Sequence, residues 1–365
     1  MDSKIDRETC DGISITIKDG ADSEKIKQTV LGWVEDVVSN SLPSEPKVIK
    51  ELKGLRSEFA SSVQEIMDSG ELKEVGQGLV VYGAKLTAIF NALKRLFDAL
   101  SREEKAETLL FPTVMPLKVI QKCDYLSSFP QILSFITHFK EDYSVIDQYV
   151  NECGDKTEIS ECQPKSGSLQ SYKNVMQPAV CYHLYNYLKD KTLPGDMYIA
   201  NAMGDCFRYE SKNLNSLDRL FNFRMYEIIG VGAEQKLLEW RKKMIEKVSK
   251  IFTGLGLPAR IEVANDPFFI KQSVIKSTFQ IAYDLKYELL CPFPNKDNRL
   301  AVASFNFHRD FFGTRFNIKC SDGNVANSSC TAFGMDRILA TLLVFYGTDL
   351  EKWPDSVVNF LALEK

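Results

Sequence analysis

The sequence predicts an α+β fold, a central antiparallel sheet with helices packed on it. Three observations carry the prediction. Short apolar runs recur in the C-terminal half at residues 198–202, 221–230, 259–263, 287–290, 301–307 and 316–318, each of strand length. Turn clusters such as Pro292-Phe293-Pro294-Asn295 and Ser321-Asp322-Gly323 separate them, as hairpins need and parallel crossovers do not. Neither a G-x-G-x-x-G fingerprint nor a Walker loop is present, which leaves Rossmann and P-loop architectures without support.

Taken in order, residues 1–75 read as a small N-terminal extension, a strand plus helices. Ile13 to Ile17 alternates before the turn signal Lys18-Asp19-Gly20. Residues 25–38 and 48–67 carry apolar positions near helical spacing, and the two prolines within 39–46 mark a linker. From Gly76 the texture changes, and residues 76–365 read as a second, larger domain. Gly78-Leu79-Val80-Val81-Tyr82 leads into a helical pattern over 86–100, with Leu86, Ile89, Phe90, Leu93, Leu96 and Phe97 on one face. Ser101 followed by Glu103-Glu104 has the form of a new helix start. Residues 109–116, apolar with two prolines, suit a strand or strand edge, and 151–174 a polar surface excursion. A long helix over 234–252 stands between the later strands.

Composition narrows the function classes. The 365 residues carry 44% hydrophobic and 26% charged side chains, an ordinary globular profile. A net charge of −4 gives no global attraction to polyphosphate, and Arg241-Lys242-Lys243 reads as the solvated side of a helix. The opening Met1-Asp2-Ser3-Lys4 has no apolar leader, and no run approaches a membrane span. The nine cysteines are odd in number, scattered and without a C-x-x-C pair. The expected location is therefore the cytoplasm, with reduced thiols, and any metal site must gather distant ligands.

Two constellations carry chemistry. Cys206-Phe207-Arg208-Tyr209-Glu210, a polar loop to Arg219, and Phe221-Asn222-Phe223-Arg224-Met225-Tyr226-Glu227 form a potential hairpin. Alternation would put Arg208 with Glu210, and Phe223 with Glu227, on common faces. Such a hairpin offers a phosphate fork, an acceptor for an adenine amino group and an aromatic plate; a surface hairpin with cross-strand ion pairs fits the spacing equally. The second, Cys330-Thr331-Ala332-Phe333-Gly334-Met335-Asp336-Arg337, would aim an arginine from a rigid helix start at terminal phosphates, although any amphipathic helix can open with Asp and Arg.

Together the two pieces resemble motifs 2 and 3 of class II aminoacyl-tRNA synthetases. The resemblance sharpens to the amino acid:carrier protein ligases, relatives of the atypical zinc-dependent seryl-tRNA synthetases. Residues 110–115, Cys123-Asp124-Tyr125-Leu126-Ser127-Ser128-Phe129-Pro130, Pro178 to Tyr182, Arg208 to Gly230, Ala264 to Phe269, Lys286 to Leu290, Ser304 to His308, Cys330 to Arg337 and Gly347 to Pro354 follow in the family's order. The resemblance implies a zinc ion on Cys181, Glu227 and Cys330. It implies ATP binding by Arg208, Glu210, Phe223 and Arg337, with catalytic roles for Arg208 and Arg337. Glu288, Ser304 and Asn306 would line the site for substrate or magnesium. His138 and His183 read as core or surface residues, and the role of His308 stays open.

The implied reaction is ATP-dependent activation of a small amino acid as its adenylate, with Zn2+ and Mg2+ as cofactors. Transfer to the phosphopantetheine thiol of an acyl or peptidyl carrier protein follows, by a homodimer, without tRNA or membrane as partner. Two alternatives remain at this point: a zinc-dependent, seryl-like tRNA ligase, and a non-catalytic synthetase paralogue that senses a ligand. The chain departs from the family pattern at Ala326-Asn327-Ser328-Ser329, at Phe311-Phe312-Gly313 and at Tyr226, changes expected near the substrate pocket or acceptor entrance.

Overall fold

The structure, a computed structural model, describes residues 2–5, 13–16, 22–29, 31, 46–154, 156, 162–214, 217–264, 284–295 and 297–364. Most of the expected linker and all of Asn265 to Phe269 lie outside the described residues.

Strands β1 (Asp2–Ile5) and β2 (Ile13–Thr16) pair antiparallel, and residues 23–29 are helical (α1). The helix expected over 48–67 is instead a strand, a polar turn region and a short helix. Val48–Leu52 (β3) pairs antiparallel with residues 259–263 at the margin of the main sheet. Helix α2 (Val63–Asp68) starts only at Ser62, where a capping box with Glu65 satisfies backbone donors at both ends of the box. Apolar spacing in 48–52 fits either element, and the backbone hydrogen bonds of an open sheet edge select strand. The sheet therefore includes residues on both sides of position 75.

A hairpin of β4 (Leu72–Gly76) and β5 (Leu79–Tyr82) feeds α3 (Ala84–Glu103). This helix runs straight through the start signal expected at Ser101. Ser101 is buried and shares a 2.9 Å hydrogen bond with the Tyr226 hydroxyl, so its side chain is not available to cap. Glu104 accepts from Trp240 Nε1 at 2.9 Å and pairs with Lys247.

Among the described residues the main sheet has eight strands, in the order β3-β12-β13-β14-β15-β11-β10-β6. Its members after β3 are β6 (Glu107–Thr108), β10 (Met197–Phe207), β11 (Asn222–Gly232), β12 (Ala259–Val263), β13 (Lys286–Pro292), β14 (Arg299–Arg309) and β15 (Asn327–Gly334). Every pairing is antiparallel except the short β6–β10 contact, as the hairpin-like turns predict. Helix α3, a helix at Glu234–Gly254 and the helix Met335–Tyr346 cover one face. Phe97 stacks on Phe333 at 4.1 Å, and Tyr226, Ile228, Phe305, Leu237, Met244 and Phe345 belong to the same core. Each fully buried aromatic or aliphatic side chain there stabilises the fold by about 1.5–3 kcal/mol.

The other face carries a second, smaller core. A three-stranded sheet of β7 (Val114–Pro116), β8 (Phe135–Ile136) and β9 (Asn174–Met176) lies beside the helices Leu117–Lys122, Tyr125–Ser128 and Cys181–Tyr187. The strand expected at 316–318 is the end of a helix, Phe311–Phe316, closed by Asn317 in the left-handed conformation (φ 52°, ψ 51°). Gly313 in that helix approaches β15 so closely that an added Cβ would lie 1.8 Å from the Ala326 carbonyl oxygen.

Candidate active site

Sheet register builds the site. Glu288, Ser304, Ala332 and Glu227 stand opposite one another across β13, β14, β15 and β11. Side chains two residues along a strand share its face, so Phe223, Cys330 and Asn306 join them. These residues floor a cleft of about 730 Å³. All ten residues singled out from sequence line it: Cys181, Arg208, Glu210, Phe223, Glu227, Glu288, Ser304, Asn306, Cys330 and Arg337.

At one wall, Cys181, Glu227 and Cys330 are all buried, with their ligand atoms within 4.8 Å of one another. Cys181 opens the helix Cys181–Tyr187, and the sheet pairs β11 directly with β15. The chain thereby closes sequence separations of 46 and 103 residues. Glu227 is fixed by three donors: the Val180 amide to Oε1 (3.0 Å), the Cys181 amide to Oε2 (3.2 Å) and the Cys330 thiol to Oε2 (3.1 Å). Glu227 is 2% exposed, and no salt bridge reaches it among the described residues. A buried carboxylate without a cation is costly.

The thiols point the same way. The Cys330 hydrogen bond favours the Cys181 thiolate, but burial and the Glu227 carboxylate outweigh it and push that thiol up to about 11. Burial, then the Cys181 bond and Glu227, push Cys330 well above the ordinary thiol range. Two sulfurs held as thiols beside a buried carboxylate are a donor set that a soft divalent cation would ionise and satisfy.

Arginines also line the cleft. Strand β10 ends at Phe207, so Arg208 and Glu210 sit in the following loop rather than on alternate strand positions. Loop geometry, not pleat, brings them to the cleft. The Arg208 Nε donates to the Pro178 carbonyl (3.1 Å), and its guanidinium lies over the Phe223 ring at 5.3 Å. Glu210 accepts from Arg219 at 2.5 Å. Arg337 Nε donates to the Asp218 carbonyl and Nη1 to the Ala301 carbonyl, both at 3.0 Å. Burial pulls the Arg337 guanidinium down from its usual value, yet an arginine stays charged. Elsewhere in the cleft, Asn306 Nδ2 donates to Ser304 Oγ (3.0 Å), and Glu288 pairs with Lys286 (2.9 Å).

Tyr226 corrects an expectation. Its hydroxyl meets Ser101, Asn201 and Asp98 at 2.9, 2.8 and 2.9 Å, on the core face, opposite its neighbour Glu227. Phe311 and Phe312 do line the cleft. His308 lines it as well, its Nδ1 at 3.1 Å from Ser328 Oγ and 3.4 Å from the Tyr185 hydroxyl. His183 stacks on Phe111, and burial pushes it down to about 4; His138 is exposed, with Nδ1 at 2.8 Å from the Phe139 carbonyl.

Three further cleft residues, Tyr125, Tyr182 and Arg219, were not singled out from sequence. Each adjoins a motif that was, so proximity within those motifs was the available signal.

Comparison with known proteins places these observations. Residues 171–346 match the tRNA synthetase class II core domain (G, H, P, S and T). Amino acid–acyl-carrier-protein ligase 2 of Bradyrhizobium diazoefficiens is 34% identical over 290 residues, 78% of this chain and 83% of that protein. The type-2 serine–tRNA ligase of Methanocaldococcus jannaschii is 28% identical over 285 residues, 76% of this chain and 54% of its own length. Among solved structures, Methanopyrus kandleri SerRS in complex with A. aeolicus tRNASec has a TM-score of 0.78 at 22% identity, over 95% of this chain and 73% of that one. That likeness concerns the fold.

Proposed function

The chain belongs to the amino acid–acyl-carrier-protein ligases, built on a class II tRNA synthetase core, and from that premise we propose that it activates a small amino acid with ATP and loads a carrier-protein thiol. The observation that carries the reading is a buried Cys181–Glu227–Cys330 cluster in the wall of the cleft that holds Arg208 and Arg337.

In the first step the amino acid carboxylate attacks the α-phosphorus of ATP and pyrophosphate leaves. Arg208 offsets the charge that gathers on the α-phosphate, a form of stabilisation effective in a desolvated cleft. Phe223 presents a ring for the adenine, Glu210 accepts from its amino group, and Arg337 holds the terminal phosphates. Glu288, Ser304 and Asn306 would bind substrate or Mg2+ with oxygen donors. Cys181, Glu227 and Cys330 would hold zinc, which would supply a contact for the neutral α-amine of the substrate, a recognition role. In the second step the phosphopantetheine sulfur attacks the carboxyl carbon of the adenylate, AMP leaves, and a thioester forms.

Amino-acid-dependent ATP–pyrophosphate exchange across the standard amino acids, with zinc measured on the same sample, tests the first step. Absence of exchange in zinc-replete protein sinks it. The acceptor is tested by offering holo-carrier protein and bulk tRNA in parallel. Higher identity to the carrier-protein ligases than to the serine–tRNA ligases (34% against 28%) favours the protein thiol. Labelled tRNA beside an unlabelled carrier would reverse that choice.

A further inference from the structure

The hairpin β4–β5 precedes every residue assigned a role above, yet it touches the loop that carries two of them, Arg208 and Glu210. Its turn is shaped by Glu74, whose Oε1 accepts from the Gly78 amide at 3.2 Å. Gly78 takes φ +67°, a left-handed conformation open to glycine. From that position its carbonyl accepts from the Phe221 amide at 2.9 Å. The approach leaves no room for a side chain, because a Cβ on Gly78 would stand 2.7 Å from the Phe221 nitrogen. Gln77 Nε2 reaches the Ser211 carbonyl at 3.4 Å. The turn thus grips the loop between β10 and β11 near both ends of its span.

The far end of the hairpin reaches the helix that carries Arg337. The Tyr82 hydroxyl donates to Asp336 Oδ1 at 2.7 Å. The same carboxylate accepts from Arg224 Nη1 (2.8 Å) and from the Arg224 amide (2.5 Å). Asp336 is 2% exposed, so these bonds form where water competes little. Arg337, one residue on, closes the circuit through its bond to the Asp218 carbonyl in the loop.

We propose that the β4–β5 hairpin is a positioning element for the nucleotide half of the site, with Gly78 and Tyr82 as its positioning residues. The proposal rests on the reading of Arg208, Glu210 and Arg337 as nucleotide ligands. Gly78 sets the height of the loop bearing Arg208, Glu210 and Arg219. Tyr82 ties the hairpin that holds this loop, through Asp336, to the start of the helix bearing Arg337. Among the described residues neither forms a hydrogen bond or ring contact with the Cys181–Glu227–Cys330 wall, so the amino-acid half should be indifferent to both.

The test compares wild type, Tyr82→Phe and Gly78→Ala by calorimetric titration with Mg·ATP and by steady-state pyrophosphate exchange. Amide hydrogen exchange of the 208–221 loop is followed without nucleotide. Tyr82→Phe should raise the Kd and KM for ATP about three- to tenfold, the scale of one hydrogen bond to a charged group acting at one remove. The KM for the amino acid and the zinc content should not move. Gly78→Ala should speed exchange at the Phe221 amide and weaken ATP in the same way; if it does not fold, Tyr82→Phe carries the test. ATP affinity unchanged in Tyr82→Phe overturns the proposal. So does a fall in kcat with both KM values constant, the mark of a smaller folded fraction. A wild-type protein that binds no Mg·ATP overturns the nucleotide reading itself, and the two failures are distinct.

Discussion

Replacing Cys330 with alanine separates metal binding from packing at the three-donor wall. The side chain is 2% exposed and its sulfur bonds Glu227 at 3.1 Å. Truncating a small buried side chain costs about 1–2 kcal/mol in packing, whatever its chemistry. If the cluster holds zinc, a second contribution is larger. A ligand present at about a thousandfold above its Kd stabilises the folded state by about 4.1 kcal/mol, and at about a hundredfold by about 2.7 kcal/mol. Cys330→Ala leaves only Cys181 and Glu227, so the variant should lose that linkage. Wild type and variant should therefore differ by about 4–6 kcal/mol in excess zinc, and by about 1–2 kcal/mol after chelation. Urea unfolding with and without chelator, with metal analysis of each sample, reads the difference. Cys291→Ala is the control, since Cys291 is equally buried but lies in the opposite core; its deficit should be the same in both buffers. A full equivalent of zinc in Cys330→Ala, or a gap between wild type and Cys330→Ala that ignores the chelator, refutes the reasoning.

Arg208→Lys keeps a charge but loses the planar fork and the bond to the Pro178 carbonyl, so exchange should slow about 10²- to 10³-fold without a fall in Tm; near-normal turnover counts against a role at the α-phosphate. Tyr226→Phe removes a hydroxyl that satisfies Ser101, Asn201 and Asp98. It should cost about 1–3 kcal/mol of stability by denaturant unfolding while leaving the KM for the amino acid alone, and a changed KM at unchanged stability would place Tyr226 in the pocket. Gly313→Ala drives a Cβ to 1.8 Å from the Ala326 carbonyl, so the Phe311–Phe316 helix must move off β15; the expected result is a lower Tm, and an unchanged Tm contradicts that contact.

The membrane question has a narrower answer than the fold. Among the described residues no helix is long and apolar enough to cross a bilayer.

Much of the sheet was legible as local pattern. Ala259–Val263 was read at its observed limits, and the long helix after β11 was read to within two residues of its end. Periodicity serves there because one face is buried along the whole element. It misled at 48–52, where the available edge of β12 chose strand, and at Ser101, where a bond to Tyr226 replaced a cap. The side of the sheet taken by Tyr226 was in principle legible, since adjacent strand residues face opposite ways and Glu227 belongs to the cleft.

Sequence alone determined most of the elements, the order of the motifs and ten of the residues that line the cleft. Those features reside in short segments, or in the likeness of several ordered segments to one family. Tertiary structure decided how the segments meet. Nothing local in Cys181, Glu227 or Cys330 brings three ligand atoms within 4.8 Å. That closeness needs β11 to lie between β10 and β15, and a helix to begin against them. Strand order across a sheet is set by nonlocal hydrogen bonds and by burial on both faces, which no window of sequence contains.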